Sequence, residues 1–214
     1  MAVEKQTAAP MEVKAIPQEY PPFTDQEKEA LVRDGAFILD LPGETIEDEQ
    51  KEGKLLRYYE LYNSEARLLK APSIKGQVAI YPDPKRFFVP NSGNKNLLAQ
   101  EKLAKKDGQE LRKRLGLKDD SLDVIIPDQA STLTEITFKY LDETSKKGEG
   151  VWLFGRDYSY RYGRTKNPVN ESGSRVAIVG NAGPDRGGVG IVVCSAGDGV
   201  NDVRVVRLVV AEKK

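Results

Sequence analysis

Hydrophobic positions fall into helical spacing in the first two thirds of the chain and into strand-like runs in the last third. Thr24-Asp-Gln-Glu27 reads as a capping box, with Ala30 and Leu31 on the buried face and Gly35 as the stop. Ala36–Leu41 follows as a strand. Leu55, Tyr58, Tyr59, Tyr62, Ala66 and Leu69 recur at helical spacing and predict a helix packing an apolar stripe on a sheet. Short strands are expected at Gln77–Tyr81 and Arg86–Val89, flanking Pro82-Asp-Pro84. A charged helix is expected from Leu97 to Leu115, with a break near Asp107-Gly108. Asp123–Pro127 reads as a buried strand ended by proline. Thr132 and Glu135 form a second capping-box pattern, and Leu133, Ile136, Tyr140 and Leu141 make one apolar face of a helix ending near Lys147-Gly148.

After Gly150 the period shortens to two. Val151–Phe154, Arg175–Val179, Gly188–Cys194 and Val203–Ala211 are rich in β-branched or aromatic residues and are separated by Gly, Pro, Asn and Asp. Helices precede a small antiparallel sheet, so the expected class is α+β. Alternation places Val203 and Val205 inward with Leu208-Val209. It turns Asn201, Asp202 and Arg204 to solvent beside Ile191 and Val193. Arg207, a cation in a Val-rich strand, is expected to be partly buried and paired. Residues 1–22, with Pro10, Pro17, Pro21 and Pro22, read as a flexible N-terminal tail.

Composition narrows the chemistry. The 214 residues contain 33 basic and 33 acidic side chains, so no net charge draws the chain to nucleic acid. Asn94 to Lys118 holds 8 basic and 3 acidic residues, but without interleaved aromatics to stack bases it reads as a solvated helix face. There is no histidine, which removes Ser-His-Asp and Cys-His mechanisms and His-ligated metals. The single cysteine, Cys194, allows no internal disulfide, and it reads as a buried, unreactive thiol. Asp119, Asp120 and Asp123 do not match a calcium loop, and Asn170-Glu-Ser172 reads as a chance glycosylation match. Val176–Gly187 imitates a dinucleotide loop, but strand-like residues follow where a helix N-terminus is required. No apolar run could span a bilayer and no signal peptide is visible, so membrane insertion is not expected and cytoplasmic location is the default.

Four C-terminal runs together carry a resemblance: Val151-Trp-Leu-Phe-Gly155, Tyr162-Gly-Arg-Thr-Lys-Asn-Pro168, Ser174-Arg-Val-Ala-Ile-Val-Gly180 and Val203-Arg-Val-Val-Arg-Leu-Val209. In this order they resemble the C-type lectin fold, in the version used by formylglycine-generating enzymes and by variable proteins of diversity-generating retroelements. Arg207-Leu208-Val209 matches the family's terminal Arg-Leu-Val-like strand. Ile125–Thr134 and the helix after it are similar to the archaeal and candidate-phylum variable proteins. The resemblance spans most of residues 75–214 and implies one C-type lectin-like domain over 23–214, with a variable region at about 157–204. In such systems a reverse transcriptase copies a template repeat with errors at adenines, and the copy replaces the 3′ end of the target gene.

The resemblance implies a ligand-binding protein in which a fixed scaffold presents variable residues. The implied site comprises Asn181, Gly190, Ile191, Val193, Cys194, Ser195, Asp198, Val200, Asn201, Asp202 and Arg204. Ile191, Val193, Cys194 and Val200 would supply apolar contact, and the polar members hydrogen bonds or charge. The expected ligand is a protein; its identity and the oligomeric state are not encoded. No catalytic residue, metal or cofactor is expected, because the paired cysteines of formylglycine-generating enzymes and the Glu-Pro-Asn motif of calcium-dependent lectins are both missing. The alternatives are a degenerate relative of those enzymes and a nucleotide-binding protein.

Overall fold

The computed structural model describes residues 16–58, 65–158 and 162–213. Among the described residues, five helices alternate with the first four strands and five more strands follow α5; the strands form two sheets, so the helices are interleaved with strands rather than preceding one small sheet. The first sheet is wholly antiparallel and has the order β1 (Phe37–Pro42), β3 (Lys75–Ile80), β9 (Leu208–Ala211), β4 (Leu122–Ile125). The second has the order β2 (Leu56–Tyr58), β7 (Gly188–Ser195), β6 (Arg175–Gly183), β5 (Tyr162–Pro168), β8 (Val203–Arg204). Its central pairs are antiparallel, and the two short edge strands β2 and β8 run parallel to their neighbours. The class is α+β.

Strand alternation sorts the core. Leu208 and Val210 of β9, with Val78 and Ile80 of β3, face the largest apolar cluster, which also takes in Leu133, Ile136 and Phe138 of α5 (Ala130–Ser145). Ala177 and Val179 of β6, with Val189, Ile191 and Val193 of β7, close that cluster from the other sheet. The opposite face of the first sheet packs on α1 (Asp25–Arg33) and α4 (Leu97–Leu115) through Leu31, Ala104, Leu111, Val124 and Val209. The opposite face of the second sheet carries Val176, Ile178, Cys194 and Val203. No helix among the described residues is long and apolar enough to cross a membrane.

Local sequence explains most boundaries. Thr24 accepts from Glu27 N and Glu27 reaches back to Thr24 N (2.7 Å), so α1 starts as expected. A second, unexpected capping box between Thr45 and Asp48 opens α2 (Ile46–Lys51). Asn96 caps α4, which ends at Gly116 in the left-handed region.

Several expectations need correction. Helix α4 runs unbroken through Gly108, because that glycine sits where the helix presses on β4: an added Cβ would stand 3.0 Å from Val124 N. The Thr132–Glu135 pattern is not a cap. Helix α5 starts three residues earlier than that pattern implies, and Asn167 of β5 accepts from Ala130 N at 3.1 Å. Thr132 instead accepts from Ile74 N, and Glu135 from Ser73 and Glu44. The helix expected across Leu55–Leu69 is a strand at Leu56–Tyr58 and a helix, α3, only at Glu65–Leu69; Tyr59 and Tyr62 lie outside the described residues. Arg86–Val89 and Val151–Phe154 are turns and irregular backbone, whereas Tyr162–Pro168 is a strand that its glycine and charges disguised. The expected tail already pairs before residue 22, since Tyr20 N donates to Lys75 O and Lys75 N to Gln18 O.

The expected strand Val203–Ala211 is two strands in different sheets. The chain leaves the second sheet after Arg204, pairs with the 87–89 segment through Val205 O and Arg207 N, and joins the first sheet at Leu208.

Candidate binding surface

The sequence-derived site residues divide into three groups. Ser195, Asp198, Val200, Asn201, Asp202 and Arg204 lie in or beside the β7–β8 connection. Asp198, Asn201 and Asp202 are exposed, and Ser195, Val200 and Arg204 are partly so. Their backbone is held from below. Val200 O accepts from Asn94 N (3.2 Å), Asp202 O from Tyr162 N (3.3 Å), and Ala196 O from Leu97 N (3.0 Å). The 93–96 loop therefore lies against the connection, and the Arg204 guanidinium packs over Gly93 so closely that an added Cβ would be 3.0 Å away.

Asn181 is remote from this group. It stands near the far end of β6, in the bulge between the Gly180–Gly190 and Gly183–Gly188 pairs, at a positive φ of 49°, with its carbonyl accepting from Arg57 Nη2 (2.8 Å).

The third group is not at the surface. Ile191 and Val193 are buried on the face of β7 that packs toward α5, so they belong to the scaffold rather than to a contact patch. Period-two alternation should have flagged this, because they share a face with Val189. Gly190 pairs with Gly180, and a Cβ there would meet Gly180 O at 2.9 Å, which leaves no room for a variable side chain. Cys194 is buried on the other face.

Beneath the first group lies a residue that sequence reasoning missed. Arg164 of β5 is fully buried. Its Nε donates to Gln100 Oε1 of α4 (2.7 Å), and its Nη1 to Cys194 Sγ (2.8 Å) and Ser195 O (2.9 Å). Its Nη2 reaches Lys95 O (3.4 Å) and Asp198 O (3.5 Å). Gln100 in turn donates to Ser92 O (2.7 Å) and Val203 O (3.2 Å). One guanidinium thus joins the two loops, a helix and the end of β7. Its partners are mostly backbone carbonyls dispersed along the chain, so no short motif announces them. Burial pushes the Cys194 thiol up, against the pull of Arg164 and Arg175. Burial also lowers the Arg164 pKa, while Cys194 opposes that shift. The thiol stays protonated and serves as a hydrogen-bond acceptor, the opposite of a poised nucleophile.

Asp119 and Asp120 are exposed, and Asp123 pairs with Arg112 Nη1 (3.1 Å). Of the glycines in the dinucleotide-loop imitation, Gly180 and Gly183 lie in β6, and a short 3-10 turn at Pro184–Arg186 with Gly187 connects it to antiparallel β7. Compared with family models, curated proteins and solved structures, the chain matches none.

Proposed function

We propose that this protein is a receptor-like binding protein, diversified by a retroelement, which presents the β7–β8 connection on a C-type lectin-like scaffold. The observation that carries the reading is a division of labour in that connection. Its backbone carbonyls are tied to Arg164, Asn94 and Tyr162, while the side chains of Asp198, Asn201 and Asp202 are left to solvent. Such a segment keeps its shape when its side chains change. The two antiparallel-rich sheets and the buried Arg207 of the terminal Arg-Leu-Val run agree with the resemblance. A histidine-free chain whose one thiol is held protonated favours recognition over catalysis. The ligand is a protein, met by the exposed polar side chains of this loop rather than by an enclosed cavity.

Sequencing the DNA around the gene tests this. The expected result is a near-repeat of the 3′ end whose mismatches fall at template adenines, beside a reverse-transcriptase gene. The mismatched codons should include those for Asp198, Asn201 and Asp202 and spare those for Arg164, Ile191 and Val193. A locus with neither repeat nor reverse transcriptase sinks the retroelement reading.

A further inference from the structure

Glu49 of α2 and Glu135 of α5 are carboxyls that nothing in the binding surface uses, and each is only 1% exposed. Glu135 Oε2 accepts from Ser73 Oγ and from Glu44 N (3.3 Å). Among the described residues, Glu135 Oε1 and both oxygens of Glu49 make no hydrogen bond, although the Thr134 hydroxyl stands close enough to Glu49 to pull its pKa down. Buried polar atoms without partners are rare in native folds, and an ionised buried carboxylate without donors costs several kcal/mol.

The surrounding groups offset the missing charge only in part. The neighbouring Thr134 hydroxyl commits its hydrogen to Ser131 O (3.0 Å). Lys54, on the turn after α2, is held by Asp142 at 2.7 Å. Lys139, one turn along α5, reaches only to 3.9 Å from Glu135 Oε1. Asp48 is engaged by the Thr45 cap and by Lys51. From the α3 side Arg67 is exposed, and on β3 Lys75 pairs with Glu19. Glu44 adds a further negative charge next to Glu135.

We propose that Glu49 and Glu135 form a protonation-controlled latch that seats α2 on α5, closed while both carboxyls keep their protons and released as they ionise. Burial, with the charges of Glu135 and Glu44, holds the Glu49 pKa well above the usual carboxylate range, against the pull of the Thr134 hydroxyl and Lys54. Burial, with Glu44, pushes Glu135 up to about 7. Both groups are thus raised above an unfolded value of about 4.3. Protons favour the seated state, so its advantage is complete below that value and is lost as pH rises toward 7. The released segment is α2 with the turn into β2, because α2 packs chiefly on α5 and α3.

Hydrogen exchange read by mass spectrometry on the full chain, corrected for the intrinsic pH dependence of exchange, tests the latch. The opening of residues 44–58 should rise by up to about a hundredfold per pH unit between roughly pH 4.5 and 7, a factor of ten for each carboxyl that ionises on opening. Peptides from α4 and β9 serve as internal controls and should stay flat. The double variant Glu49→Gln/Glu135→Gln should remove the slope in 44–58, and Glu49→Gln alone should reduce it. A flat wild-type profile overturns the proposal even if the double variant fails to fold. So does a folded double variant that keeps the wild-type slope.

Discussion

Arg207 and Asp107 stand 100 positions apart and form a fork, Nε to Oδ2 at 2.7 Å and Nη2 to Oδ1 at 2.8 Å, with both side chains buried. Arg207 Nη1 also donates to Arg86 O (3.0 Å), so the pair ties β9 to α4 and to the 86–89 turn. Arg207→Ala leaves Asp107 buried and unpaired, and equilibrium denaturation should show a loss of about 3–5 kcal/mol. Arg207→Lys should recover only part of it, because an ammonium cannot form the fork. Cys194→Ser should cost only about 1 kcal/mol, since a hydroxyl can accept from Arg164 Nη1 as the thiol does. A larger loss in chemical denaturation would mean that the thiol's size, not its acceptor role, holds the end of β7. The burial of Arg207 was legible from its sequence because a lone cation among valines needs a partner. Arg164 was not, since its neighbours Gly163 and Thr165 give a strand no apolar signature.

Helix α4 was legible over its full length, but its continuity was not. Gly108 costs a helix about 1 kcal/mol relative to alanine, which is why the sequence suggests a break there. In the fold that glycine lets α4 approach the β4 backbone, with Arg112 Nη1 donating to Leu122 O in the same contact. Gly108→Ala should therefore destabilise despite its better helix propensity. A rise in melting temperature would show that β4 yields to the extra methyl. Helix α5 teaches the converse. A capping-box spacing was present at Thr132 and Glu135, but tertiary partners at Ile74, Ser73 and Glu44 claimed both side chains. In β7 the alternation that identified the strand also determined its faces. Ile191 and Val193 share their face with Val189, which marks them as core; setting them beside Asp202 and Arg204 carried the alternation of residues 203–205 over to a strand with a different inward face.

Across the whole molecule, the acidic groups pull stability in opposite directions with pH. Asp34, partly buried, is nonetheless lowered by hydrogen bonds from Arg114, Tyr81 and Arg86. Its contribution is present above an unfolded value of about 3.9 and is lost below it. Glu135, raised to about 7, contributes below about 4.3 and loses that contribution as pH rises to its folded value. Between pH 5 and 7 only the second trend operates, so thermal unfolding should occur at a higher temperature at pH 5. About 2 kcal/mol of linkage between those pH values corresponds to a shift of roughly 4–8 °C for a chain of this size. Equal melting temperatures would mean that the Glu49–Glu135 cluster is solvated in solution. The class was legible because periodicity encodes it; the second sheet and the crossing of residues 203–211 between sheets were not, because Val205–Arg207 keep an apolar strand texture while changing partners. The most direct measurement compares two libraries, each randomised at four positions and scored for the fraction of members that resist protease. One varies Ser195, Asp198, Asn201 and Asp202; the other varies Gly190, Ile191, Val193 and Cys194. A scaffold that displays the β7–β8 connection keeps most of the first library folded and loses most of the second. Equal survival of the two, or collapse of the first, would contradict it.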